Sequence, residues 1–279
     1  MLYALNFDID NSSFLITNPE YNQGLDPKLK LDSPVSKIIN TTTKENDSKL
    51  TYEVDYIDFV NNWFPGVDAH VFISHSHQDK QKAVALANFL YKRLGIKSFI
   101  DSEVWGYLDE AMLKLNKRFN AVDGEKNTYV YEECNKLAGS LNLILSSALT
   151  KMIDSADSLF FINTANSVYD GGKTKSPWIF TEILLSSMLR KKPHVDRPDL
   201  KMESFEGIVG TEVRKSVGSV GFSFLLDMKH MHKVTSEMLE KIRNDAESKI
   251  ENGDLTPNFT NNDIFKNLDA IYSVAAGKY

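Results

Sequence analysis

Ser74, His75, Ser76, His77 and Asp79 follow directly on a short apolar run, Val71-Phe72-Ile73. Their spacing, His75-x-His77-x-Asp79, brings together imidazoles and a carboxylate, residue types that ligate zinc. Hydroxyls and imidazoles at such a place also suit hydrogen bonding to a phosphate or a ribose. A second candidate lies further on, in Ser176-Pro177-Trp178-Ile179-Phe180-Thr181-Glu182. Ser176 suits a helix N-cap and Pro177 the first helical position. Trp178 and Glu182 then stand at i and i+4 and share one face near the helix start. A carboxylate there either does chemistry or simply complements the positive end of the helix.

These residues need elements to hold them. Val71–Ile73 reads as a buried strand, 82–93 as an amphipathic helix, and 96–100 as a second apolar strand. Strand, polar turn, helix and strand make a βαβ unit, and such units bind ligands beyond the carboxyl ends of their strands. Leu159–Ile162 predicts a further buried strand. The run Gly221–Leu226 reads as the last strand of the sheet, with helices over 237–250 and 263–275 beyond it. The organisation expected is an N-terminal β-type extension over 1–66, a main domain over 67–232 and a C-terminal helical extension over 233–279. The segment 118–149 is helical in pattern and enlarges the main domain.

Several motifs compete for the same residues. The pattern His75-x-His77-x-Asp79 matches the start of the metallo-β-lactamase zinc motif. Lys80 stands where that motif continues with His, and no further His occurs before His194. His194, His230 and His232 complete no ligand spacing, so a zinc hydrolase is a minor reading, and His230 and His232 are expected as surface residues on one face of a strand. The stretch Ser167–Thr174 resembles a phosphate-binding loop, but Ser167 replaces its first glycine. Pro177 also restarts the helix too late for Lys173 and Thr174 to line its first turn. A flexible, solvated loop is expected there. Neither a Gly-x-Ser-x-Gly elbow nor a His-Glu-x-x-His helix occurs.

Taken in order, these segments resemble the Toll/interleukin-1 receptor (TIR) domain family, over roughly Asp68 to His232. Val71–Ser76 resembles its first strand and turn, Ser98–Asp101 its second strand, and Ser102–Tyr107 the flexible loop after it. Met152–Asp157 resembles the helix end before the central strand. The Ser176-x-Trp178-x-x-x-Glu182 helix resembles the one that carries the glutamate of NAD-cleaving members. The resemblance implies an α/β, TIR/flavodoxin-like fold with a central parallel sheet flanked by helices. It implies an NAD+ nucleosidase with Glu182 as the catalytic residue. Ser74, Ser76, His77, Trp105, Tyr107 and Trp178 would contact the dinucleotide, which is the substrate, and no separate cofactor or metal is expected. The loop after the first strand lacks the arginines that some relatives carry. Asp101 is expected to brace its loop rather than touch substrate.

The implied chemistry is specific. Cleaving the nicotinamide–ribose bond develops oxocarbenium character, as glycoside hydrolysis does, and nicotinamide leaves neutral from a cationic pyridinium. A single carboxylate can stabilise that state. Products would be ADP-ribose or a cyclic or conjugated ADP-ribosyl signal, as in bacterial antiphage systems of the Thoeris type, read by a separate effector. Self-association through the TIR-like domain is the partner expected. A non-catalytic TIR scaffold is the alternative, and a nucleoside deoxyribosyltransferase-like enzyme a lesser one.

Composition narrows the class. The 279-residue chain is 42% hydrophobic, enough for one sizeable core with additions or at most two small domains, and its net charge of -6 argues against nucleic acid. A lone cysteine, Cys134, cannot form an internal disulfide and points to a cytoplasmic setting. No apolar stretch approaches the ~20 residues that span a membrane, and no signal peptide is expected.

Overall fold

A computed structural model describes residues 3–9, 19–22, 43–46, 51–54, 57, 69–100, 102–122, 124–125, 127–189, 191, 194–197, 222–251 and 259–277. Two compact units emerge. One comprises Met1–Lys28, Ala69–Ile100 and Met152–Tyr279, and the other Leu29–Asp68 and Asp101–Lys151.

In chain order the first unit contains β1 (Tyr3–Asp8), the short α1 (Pro19–Asn22), and then the second unit's hairpin of β2 (Thr43–Asn46) and β3 (Thr51–Val54) intervenes. The first unit resumes with β4 (Val71–Ser74), a 3-10 turn (His77–Asp79), α2 (Lys80–Leu94) and β5 (Ser98–Ile100). The second unit takes α3 (Ser102–Phe119) and most of α4 (Tyr131–Ser155). The rest belongs to the first unit: β6 (Ser158–Asn163), β7 (Lys173–Thr174), α5 (Pro177–Met188), β8 (Phe224–Leu225), β9 (His232–Thr235), α6 (Ser236–Glu251) and α7 (Asn261–Ala275). Among the described residues no helix is long and apolar enough to cross a membrane.

Five strands form one parallel sheet in the order β5-β4-β6-β1-β9, flanked by helices. The fold class is α/β, as the sequence predicts. The interior strands are apolar on both faces (Phe72, Ile73 and Leu159–Ile162 are all buried), which parallel sheets covered on both sides require. The N-terminal run over 3–8 lies inside this sheet, between β6 and β9, with Leu5 and Phe7 buried. The last strand of the sheet is β9. The Gly221–Leu226 run contributes β8, which pairs antiparallel with β7 outside the sheet.

Registered partners in a parallel sheet share a face, so Ser74, Phe161 and Asn6 point to one side. Tyr3 points to the other, where it stacks on Tyr272 of α7 at 4.1 Å between ring centroids. Helix α2 packs with α7 and α6, and Asn267 Nδ2 donates to the Leu94 carbonyl at 3.1 Å. Helix α2 ends in a left-handed Gly95 (φ 70°), whose N–H donates to Tyr91 while Ile96 N–H reaches back to Leu90. The Gly95-to-Tyr91 bond is that of the αL type of helix closure, whose left-handed residue favours glycine.

At the amino end of β6 the buried Asp157 gathers four donors. Arg197 supplies Nη2 at 2.9 Å and Nε at 3.1 Å, Tyr272 its hydroxyl at 2.6 Å, and His194 its backbone N–H at 3.2 Å. Arg197 also pairs through Nη1 with Asp269 at 2.8 Å and lies over the Phe265 ring. Burial opposes the Arg197 charge, but the two carboxylates outweigh it and hold its pKa above the ordinary value. Burial, then the Asp157 charge, pushes the Tyr272 hydroxyl well up.

The second unit, described by itself, holds the antiparallel β2–β3 hairpin and the helices α3 and α4. The loop expected over 102–107 is instead the first turns of α3. Val104, Tyr107, Leu108, Ala111, Met112 and Leu115 repeat with helical period. One interior glycine, Gly106, costs about 1 kcal/mol and does not break such a pattern.

Replacing Arg197 by Ala should destabilise the protein by about 3–5 kcal/mol, because Asp157 would keep a buried charge without its main counter-ion. Urea denaturation reads this. A second substitution acts sterically: a Cβ on Gly95 would lie 2.6 Å from Cγ of Phe259, in a left-handed backbone. Gly95→Ala should cost about 1–3 kcal/mol in the same measurement.

Candidate functional site

The chain leaves β4 towards β5 on one side and later returns to place β6 on the other, so strand order reverses between β4 and β6. The helices that follow them lie on opposite faces: α2 with α7, α5 over Ser74. Carboxyl ends at such a switch point form a crevice in open α/β sheets. Ser74 and Glu182, both picked from the sequence, come to this edge, and so does Asp79.

Helix α5 begins as the sequence predicts, with the Ser176 hydroxyl accepting from Ile179 N–H at 3.2 Å and Pro177 in its first turn. That start turns Glu182 inward. Its carboxylate has no exposed surface, and Oε2 accepts the Ser74 hydroxyl at 2.5 Å. The distance is that of a charge-assisted O–H···O⁻ bond. Ser74 is fully buried too. Its proton is committed to Glu182, whereas a role in donating to a phosphate or ribose was expected.

The other expected contacts spread out. Ser76 caps the 3-10 turn through its backbone carbonyl, which accepts from Asp79 N–H at 2.8 Å, and its side chain makes no cap bond. His77 is exposed, His75 is buried, and Trp178 is half-buried in the first turn of α5. Trp105 and Tyr107 fall in α3, in the other unit, and their side chains lie outside the described residues, as does Asp101.

The phosphate-loop-like stretch is built differently from that motif. Ser167 is buried and its hydroxyl bonds the Ile162 carbonyl at 2.9 Å, while Gly171 and Gly172 make a tight turn with positive φ before β7. Lys173 and Thr174 are strand residues, and Thr174 is buried. A structured turn therefore replaces the flexible loop expected.

Two residues escaped the sequence reading. Asp79, weighed only as a zinc ligand, has its oxygens occupied by Thr164 and Asn166, with Lys82 at 3.3 Å. His230, expected on a strand surface beside His232, lies in a turn, half-buried, while His232 alone is on β9 and exposed. His230 Nε2 is 2.7 Å from Oγ of Ser186, one turn beyond Glu182 on the same face of α5. The Ser186 proton goes to the Ile183 carbonyl at 2.7 Å, so His230 Nε2–H donates to Ser186. This pair fastens α5 and does not activate a serine nucleophile. At the far end of the sheet, His194 packs against His70 and Phe265. Among the described residues no group of three or more His, Cys, Asp or Glu side chains gathers to hold a metal ion.

Comparisons with known proteins identify no relative: no family model, no curated protein and no solved structure matches the chain. The site must be read from its own geometry.

Burial lowers the His230 pKa below its ordinary 6.5; the Asp227 charge opposes this and Lys191 adds to it. The unfolded chain then takes up the proton at higher pH than the folded one. His230 thus contributes stability that is fully present above pH 6.5 and is lost as pH falls through the folded-state value. Urea midpoints at pH 7.5 and 5.5 should show a shallower acid-side decline in His230→Gln than in the wild type, and equal declines would exclude His230 as a source.

Proposed function

We propose that this protein is a TIR-type NAD+ nucleosidase with Glu182 as its catalytic carboxylate. The observation that carries the reading is the Ser74–Glu182 pair. It places the only charged side chain of α5 at the end of β4, at the switch point of a parallel sheet. A hydroxyl that donates to Oε2 fixes the carboxylate's direction, which electrostatic stabilisation of an oxocarbenium-like ribose requires. Heterolysis sends the C–N bonding pair to nicotinamide. Water, or another nucleophile, adds at the anomeric carbon and gives ADP-ribose, or a cyclic or conjugated product, with release of a proton. A defence role in the cytoplasm, with the product acting on a separate effector, belongs to the same reading.

Glu182 has no exposed surface in this conformation. A ribose reaches it only after its cover shifts, so the reading entails a resting state with little turnover and activation by self-association. The same burial favours a second reading, a non-catalytic TIR scaffold in which Ser74–Glu182 is a structural bond.

Incubating concentrated wild-type protein and Glu182→Ala with NAD+, with nicotinamide release and product mass as readouts, separates the two. The nucleosidase should release nicotinamide and lose at least about 10²-fold in rate on substitution. Absence of release from the wild type at high concentration and under crowding would favour the scaffold.

A further inference from the structure

Asp79 stands at the N-cap position of α2, where an aspartate ordinarily accepts a backbone N–H of its own helix. Here the side chain makes no such bond. The carboxylate, 2% exposed, turns away to the connection that leaves β6. Its Oδ2 accepts the Thr164 hydroxyl at 2.5 Å, and its Oδ1 accepts Asn166 Nδ2 at 3.0 Å. The Thr164 oxygen in turn accepts Asn166 N–H at 3.1 Å, and Thr164 N–H donates to Oγ of Ser167 at 2.8 Å. One carboxylate therefore fixes the opening residues of the segment that runs to Ser176, the cap of the helix bearing Glu182. It also ties together the ends of β4 and β6, adjacent strands in which Ser74 lies opposite Phe161.

We propose that Asp79 is a positioning residue for the reaction at Glu182, acting through Thr164 and Asn166 without touching substrate. The proposal rests on the nucleosidase reading. Helix capping does not explain the geometry, because the capping bond is not made. Metal ligation does not explain it either, because both oxygens already accept hydrogen bonds. The tie instead sets where the β6–α5 connection begins, and with it how α5 presents Glu182 to the end of β4.

The test is steady-state nicotinamide release by full-length Asp79→Asn, with rates expressed per folded molecule. The amide keeps the shape but offers one acceptor where the carboxylate offers two. A displacement of the catalytic group by an ångström costs up to about 100-fold, so kcat should fall about 10- to 100-fold. KM should stay within about threefold, since substrate contacts are unchanged. Thr164→Val should reproduce the fall, and Thr164→Ser, which keeps the hydroxyl, should not. A kcat per folded molecule that stays within about twofold would overturn the proposal, as would a raised KM at constant kcat, which marks a substrate contact. If the wild type itself releases no nicotinamide, the nucleosidase reading fails separately. Amide hydrogen exchange then decides the positioning claim: Asp79→Asn should speed exchange over 164–182 and leave the α2 amides unchanged, and unchanged exchange over 164–182 would overturn it.

Discussion

The buried charge of Asp157 is the constraint around which the first unit is organised. A carboxylate taken out of water is stable only if donors surround it, and here they come from two distant parts of the chain: the turn that holds the His194 backbone and Arg197, and Tyr272 of α7. Meeting that demand draws the 194–197 turn and α7 to the amino end of β6. Arg197 is itself held by Asp269 and by the faces of Phe265 and Tyr272. The amino edge of the sheet is thus closed by a polar knot, which leaves the carboxyl edge as the end where its loops can be specialised.

At that carboxyl edge the polar groups serve placement. Helix α5 is apolar almost all round, and its one charged side chain faces inward. A helix of this kind gains little orientation from amphipathicity. Its rotation is set by discrete bonds, Ser74 to Glu182 near its middle and His230 to Ser186 a turn later. Asp79 does the same for the connection before it. Each bond joins elements far apart in sequence, so the geometry of the edge is a tertiary property.

That distinction explains what the sequence could reveal. Apolar runs such as 71–73 and 159–162 are too short for a helix and are bounded by polar residues, which suits strands buried on both faces, and Ser176-Pro177 starts a helix through local chemistry alone. Both were legible. The meeting of Ser74 with Glu182 was legible only as two separate candidates, each at the end of its own element. Asp79 and His230 were misjudged because their partners, Thr164 with Asn166 and Ser186, have no sequence signal linking them. The first turns of α3 were obscured by a different cause: Gly106 and its aromatic neighbours suggested a loop, although the apolar spacing around them was helical.

The place of β1 has a consequence for how the chain is made. Tyr3 pairs with Ser158, and Leu5 with His232, so β1 needs partners that leave the ribosome much later. At about 5–20 residues per second, its first neighbour arrives on the order of ten seconds after it. Until then an apolar strand has both edges unpaired, the condition that invites non-native pairing. Completion of this sheet is therefore a late, non-local event of the kind that folds slowly. A nascent chain would spend that interval with β1 in need of shelter, so the risk of misassembly is concentrated in that strand.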